Sequence, residues 1–216
     1  MFSFTNTEKR ELLLGTFIFV LVELSLYISP FQFIEFIMID LINDFSFFLN
    51  ELFILFVLCI LSIPLFLFHE LSHKFAAQGY GLHSGFRLDP NFALFSLFSI
   101  FLPIKIIAPG VVLSSGDYRL DKSARISMAG PLINILIGGI FLAFSAFISL
   151  DWFLVILLLV SKFSFDLALF NMLPFSVLDG AKVFSWNQPI FALIFILSLV
   201  LWLFHPLGIF GGSIIV

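Results

Sequence analysis

The sequence predicts an all-α integral membrane protein, a polytopic bundle of about five to six transmembrane helices with a re-entrant or short β segment near residues 92–113. Three observations carry this expectation. Of 216 residues, 61% are hydrophobic and 11% charged, whereas ordinary soluble domains run at about 45–50% apolar and about 25% charged. The apolar residues gather in runs close to the ~20 that a helix needs to cross a hydrocarbon core of ~30 Å. The 33 phenylalanines offer water nothing, so most of the surface has to face lipid.

The elements follow in chain order. Residues 12–28 form an apolar run behind Lys9 and Arg10 with no small-residue cleavage site after it, which marks a retained span rather than a signal peptide. Residues 30–50 carry Glu35, Asp40 and Asp44 among phenylalanines and isoleucines, the pattern of an interfacial amphipathic segment or a short oblique span. Residues 51–77 form the next span, and Pro64 inside it is placed to bend the helix a turn before its polar end. Residues 92–113 contain Pro103, Lys105, Pro109 and Gly110, which break a single straight helix and suit a re-entrant hairpin. Residues 126–148, 152–171 and 189–204 complete the set of spans. No internal repeat or linker divides the chain, so residues 1–216 are expected to form one membrane-embedded domain with its core at 51–187. No separate soluble or peptide-recognition domain is expected.

Charge sets the orientation and removes one partner class. With 10 basic against 14 acidic side chains there is no basic face for counterion release, so no nucleic acid is expected. If residues 92–113 enter and leave on one side, Lys9, Arg10, Lys74, Arg87, Arg119, Lys122, Arg125 and Lys182 all fall on that same side. The opposite loops hold Glu35, Asp40, Asp44, Glu51 and Asp151 and no Lys or Arg. By the positive-inside rule the basic side is the cytoplasm, so a multi-pass cell-membrane protein with a cytoplasmic N-terminus is expected, with Lys74 at the cytoplasmic interface. The single cysteine, Cys59, allows neither an internal disulfide nor a cysteine-based zinc site. A metal site here has to use histidine and carboxylate.

Such a site is spelled out at His69-Glu70-Leu71-Ser72-His73, near the end of the second long run. Histidines at i and i+4 project from one helix face and can share one Zn²⁺, and the glutamate between them can take a proton from a water on the metal. At ~1.5 Å per residue His69 lies roughly 27 Å beyond Glu51, just inside the cytoplasmic leaflet. A catalytic zinc usually takes three protein ligands, so a third is needed. Asp89, Asp117 and Asp121 are the acidic residues nearest in sequence, but residues 171–180, Asn-Met-Leu-Pro-Phe-Ser-Val-Leu-Asp-Gly, have the better chemistry. Pro174 interrupts an apolar run there, and Asp179-Gly180 makes a turn able to present a carboxylate at the membrane surface. The topology above puts Asp179 and His69 on the same side.

A membrane-embedded His-Glu-x-x-His followed far downstream by Asn-x-x-Pro-x-x-x-x-Asp-Gly resembles the site-2 protease family of intramembrane zinc metalloproteases, in a short archaeal-type branch. Ala129-Gly130-Pro131-Leu132-Ile133-Asn134 resembles the Gly-Pro element of the same family. The resemblance implies one zinc per chain held by His69, His73 and Asp179, Glu70 as general base, and Asn171 as a catalytic contact to substrate or oxyanion. It also implies a transmembrane protein as substrate and an active site toward the cytoplasm. The family commonly follows its Asp-Gly with a second Gly, where this chain has Ala181, and the usual prolines between Pro174 and Asp179 are missing.

Other polar residues carry weaker expectations. Lys162 and Asp166 stand i and i+4 on one span and fit a structural ion pair. Glu23 fits a buried partner for another helix or part of a water path, Asn134 an interhelical hydrogen bond, and Gly138-Gly139 a close helix approach. His83 and His205 stand alone, without ligand spacing, as interfacial residues. The alternative readings are a polytopic transporter using Glu23, Lys162 and Asp166, and a non-catalytic membrane scaffold with a metal site. No pair of similar halves supports the first, and an intact Glu70 argues against the second.

Overall fold

The described residues of the computed structural model are 4–27, 45–102, 105, 110–115, 119–149, 151–175 and 178–207, and 79% of them are helical. In chain order the elements are α1 (Asn6–Tyr27), α2 (Phe45–Gly79), β1 (His83–Leu88), α3 (Pro90–Ser99), β2 (Gly110–Ser115), α4 (Leu120–Ser145), α5 (Asp151–Asn171), α6 (Asp179–Trp186) and α7 (Gln188–Leu203). The two strands pair as one two-stranded sheet.

Among the described residues, three helical segments are long and apolar enough to cross a membrane: Leu55–Gly79 of α2, Leu120–Ser145 of α4 and Trp152–Asn171 of α5. Their outward side chains are not those of a water-facing helix. Phe56 and Phe68 on α2, Leu136 and Phe144 on α4 and Trp152 on α5 are each more than half exposed, where a soluble helix would carry charge. The expected spans at 12–28 and 189–204 lie on helices, α1 and α7, that fall outside this set. At 16 residues, α7 reaches roughly 24 Å, short of the hydrocarbon thickness, and α1 opens on Glu8, Lys9, Arg10 and Glu11 and also carries Glu23. Of the expected segment 30–50, all but the last six residues lies outside the described residues, and those six begin α2. The expected re-entrant hairpin at 92–113 is a helix, most of α3, followed by the start of β2, with its middle largely outside the described residues.

Contacts divide the chain into two compact units, residues 1–64 with 86–111, and 65–85 with 112–216. In the first, α1 packs on α3 through Ile18, Val22 and Ala93, with Leu88, Leu97 and Ile100 around them. Asp89 starts α3 by accepting from the amides of Asn91 and Phe92, ahead of Pro90 in the first turn, where no N–H is needed. The same unit explains why a strand forms at residues 86–88. Glu8 Oε1 accepts from Phe86 N at 3.2 Å and Glu11 Oε2 from Leu88 N at 3.1 Å, and Arg87 pairs with Glu11 at 3.0 Å. Residues two apart share a strand edge and residues three apart share a helix face, so two carboxylates of α1 satisfy one edge of β1.

The second unit is built on α4 and α5. A Cβ on Gly138 would lie 2.5 Å from the Phe165 ring, and Ser161 Oγ donates to the Gly138 carbonyl at 2.8 Å, so the helices meet backbone to side chain. Gly139 faces open space, so the close approach belongs to Gly138 alone of the pair. The short α6 packs on α4 and α7, and α7 on α5. The C-terminal half of α2 joins through Ala77 and Leu82, which cluster with Ile126 of α4. Just past α2, Gly81 takes a φ of +73°, and Gly81 N and Leu82 N bond back to the Gln78 and Ala77 carbonyls at 2.9 and 3.1 Å. That left-handed residue ends the helix and turns the chain toward β1.

Candidate metal centre

His69 and His73 stand one turn apart on the same face of α2, and both are buried. Their Nε2 atoms are 3.1 Å apart, with the rings edge to face. Asp179, the first residue of α6, brings Oδ2 to 3.0 Å from His73 Nε2 and 3.3 Å from His69 Nε2. The three ligand atoms converge although His73 and Asp179 stand 106 positions apart in the chain. Atoms bound to zinc at roughly 2.0–2.1 Å on tetrahedral corners lie roughly 3.3–3.4 Å apart, close to this triangle. Two imidazole nitrogens and one carboxylate oxygen form a donor set that zinc accepts, and the group can hold one metal ion.

Local structure explains why Asp179 arrives there. A Cβ on Gly180 would lie 2.2 Å from the Met172 carbonyl oxygen and 2.7 Å from that of Leu173, so only glycine lets the first turn of α6 seat on the end of α5. A carboxylate in a first helical turn also meets the positive end of the helix dipole. Burial alone would raise the Asp179 carboxyl. The two imidazoles against its Oδ2 outweigh burial and hold the group well below the usual carboxylate range.

The facing surface of α4 completes the arrangement. His73 Nδ1 donates to the Ile126 carbonyl at 2.8 Å, and His69 Nδ1 lies 3.0 Å from the Asn134 amide. Between them Gly130 comes so close that an added Cβ would lie 2.4 Å from His73 Nε2 and 2.6 Å from His69 Nε2. Residues 126, 130 and 134 recur every four positions and so form one stripe of α4. As α2 runs from His69 to His73, their α4 partners run from Asn134 to Ile126, so the two helices cross in opposite directions at the site.

The remaining expected residues are distributed as follows. Glu70 is buried beside His69 on α2. Asn171 is buried at the end of α5, where its Nδ2 donates to the Leu167 carbonyl at 3.0 Å within its own helix. Asp89 caps α3 and Asp121 pairs with Arg119 at 3.3 Å, which accounts for two of the three rejected third-ligand candidates; Asp117 lies outside the described residues. Lys74, expected at an aqueous interface, is instead 1% exposed inside the protein. Lys162 does pair with Asp166, and Trp202 Nε1 donates to the same carboxylate oxygen. His205, expected at an interface, is fully buried, with Nδ1 accepting from Leu207 N at 3.1 Å. Burial and the Lys162 charge push its imidazole down to about 4.

Sequence reasoning did not connect Ile126, Gly130 or Asn134 to the metal. Their four-residue spacing was the available signal, but a carbonyl as partner carries no mark in the sequence.

Comparison with curated proteins finds a relative in Methanocaldococcus jannaschii that carries the name "Putative zinc metalloprotease". It is 35% identical over 135 residues, which cover 60% of this chain and 69% of the relative. No family model and no solved structure matches the chain. Together with the buried His69, His73 and Asp179 group, that relative assigns zinc as the cofactor.

Proposed function

Because the chain belongs to the zinc metalloprotease family of its Methanocaldococcus jannaschii relative, we propose that it is an intramembrane metalloprotease of the site-2 protease type, cutting peptide bonds in or near transmembrane segments of membrane proteins. One observation carries the proposal: the ligand atoms of His69, His73 and Asp179 converge on a helix apolar enough to span a bilayer. His69 lies 14 residues into the 25-residue segment Leu55–Gly79, about 21 Å along it, which supports a site within the membrane thickness nearer one face. The charge asymmetry of the sequence supports a cytoplasmic side for that face and for the N-terminus of a multi-pass cell-membrane protein.

His69, His73 and Asp179 would hold the zinc, which when bound would supply Lewis acidity toward water and a substrate carbonyl. Glu70 takes the proton of the attacking water as its oxygen bonds to the scissile carbon. Glu70 then hands that proton to the leaving amine as the C–N bond breaks. Asn171 spends one amide hydrogen on Leu167 and keeps a second for the developing oxyanion. A helical substrate has to open before its carbonyl can be attacked. β1 has one edge closed by Glu8 and Glu11, and β2 offers its outer edge for strand addition to the unwound segment. Residues 1–216 act in this reading as one membrane-embedded protease domain.

The test is cleavage of a transmembrane substrate by the purified protein in liposomes, with chelator and with zinc added back. Chelation should abolish cleavage and zinc restore it, and His73→Ala and Asp179→Ala should lose both zinc and activity. Cleavage that persists in the zinc-free protein would refute the proposal and leave a transporter or a non-catalytic scaffold in its place.

A further inference from the structure

A histidine can bind zinc through Nε2 only if that nitrogen carries a lone pair, so in the neutral ring the proton has to sit on Nδ1. For His73 the partner settles this at once. The Ile126 carbonyl at 2.8 Å can only accept, so His73 Nδ1 is the donor, and in the neutral ring this leaves Nε2 its lone pair for a metal. His69 faces the Asn134 amide, which can do either, with the Gly130 carbonyl also within its hydrogen-bonding reach.

With Asn134 Nδ2 turned to His69 Nδ1, the amide donates, and the ring proton is driven to Nε2, where it blocks the metal. That orientation also leaves Asn134 Oδ1 buried with no hydrogen-bond partner among the described residues. Turning the amide about its axis exchanges two groups of nearly equal shape and brings Oδ1 to Nδ1. The contact with His69 Nδ1 can be made in either orientation, so it does not choose between them. The ligand requirement does. We infer that Asn134 is a positioning residue that accepts the His69 Nδ1 proton through Oδ1 and so holds His69 in the tautomer that binds zinc. The side chain is fully buried, and it sits one turn beyond Gly130, whose lack of a Cβ admits the rings. Asn134 and the Ile126 carbonyl thus grip the two imidazoles from the two ends of one stripe of α4.

The inference rests on the zinc reading of His69, His73 and Asp179, and its test separates the two. Zinc affinity is measured by chelator competition on the purified protein in detergent for the parent, Asn134→Leu and Asn134→Asp, with helicity and metal-free melting as fold controls. Removing a partner that orients a ligand typically costs 10–100-fold in metal affinity, so Asn134→Leu should bind zinc about 10–100-fold more weakly. Asn134→Asp keeps an acceptor and cannot donate when ionised, so it should hold zinc at least as tightly as the parent. A parent that binds no zinc overturns the metal site and this inference with it. If the parent binds zinc, unchanged affinity in Asn134→Leu, or an Asn134→Asp that loses affinity, overturns the positioning role alone. Should Asn134→Leu fail to fold, Asn134→Asp decides, because an amide that donates or merely packs predicts loss in that variant.

Discussion

Adding one methyl group at Gly130 probes the site without touching a ligand. The Cβ of Gly130→Ala would stand 2.4 Å from His73 Nε2 and 2.6 Å from His69 Nε2 and Cε1. Ordinary contact begins near 3.4 Å, so the rings or α4 have to retreat by roughly 0.8–1.0 Å, while metal–ligand distances tolerate about 0.2 Å. The rings cannot slide freely, since their Nδ1 atoms are held by Ile126 and Asn134. Nor can α4, whose neighbouring Pro131 and Asn134 are fully buried. Overpacking of this kind costs about 1–3 kcal/mol, which, if borne by the metal site, is roughly a 5- to 150-fold rise in the Kd for zinc. Chelator competition in detergent measures it, with helicity as the fold control and Gly139→Ala, which points into open space, as the matched substitution. Zinc affinity for Gly130→Ala within twofold of Gly139→Ala would refute the placement of α4 against the ligand atoms.

Three further outcomes follow from the same geometry. Gly180→Ala drives a Cβ to 2.2 Å from the Met172 carbonyl oxygen, backbone that cannot swing aside; Asp179 should be displaced, and zinc content after gel filtration should fall. Gly138→Ala should lower the melting temperature through its clash with Phe165, by about 1–3 kcal/mol of stability, while Gly139→Ala should be neutral or stabilising by up to ~1 kcal/mol of helix propensity; equal melting shifts would contradict the packing described. Val112→Pro removes one N–H from β2, and turnover of a transmembrane substrate should drop severalfold with zinc retained; unaltered turnover would sink the strand-addition idea.

How far the sequence reached depended on the range of the interactions involved. Long apolar runs and the i, i+4 histidines are local features, so α2, α4 and α5 and the pair His69 and His73 were readable directly. Asp179 was reachable because a helix-breaking Pro174 and the turn at Asp179-Gly180 mark it. β1 was not readable. His83-Ser84-Gly85-Phe86-Arg87-Leu88 has no strong alternation, and the strand depends on carboxylates at Glu8 and Glu11, almost eighty residues earlier in the chain. Lys74 looked like a boundary residue because it is charged, yet it is buried within the fold. The link between Asn134 and His69 joins residues 65 apart, and only the packing of α4 on α2 reveals it.

The proposed zinc site of His69, His73 and Asp179 serves peptide hydrolysis only if Glu70 takes the proton of the attacking water. Glu70→Gln tests it most directly, because the amide keeps the shape of the side chain and removes only its ability to take a proton. Zinc stoichiometry and cleavage of a reconstituted transmembrane substrate are measured on the same preparations of parent and variant. The account predicts one zinc per chain in both and, in the variant, a loss of cleavage of at least about 10²–10⁴-fold, the range of general acid–base catalysis. Glu70→Gln that cleaves as fast as the parent, or a parent that cleaves without zinc, would contradict it.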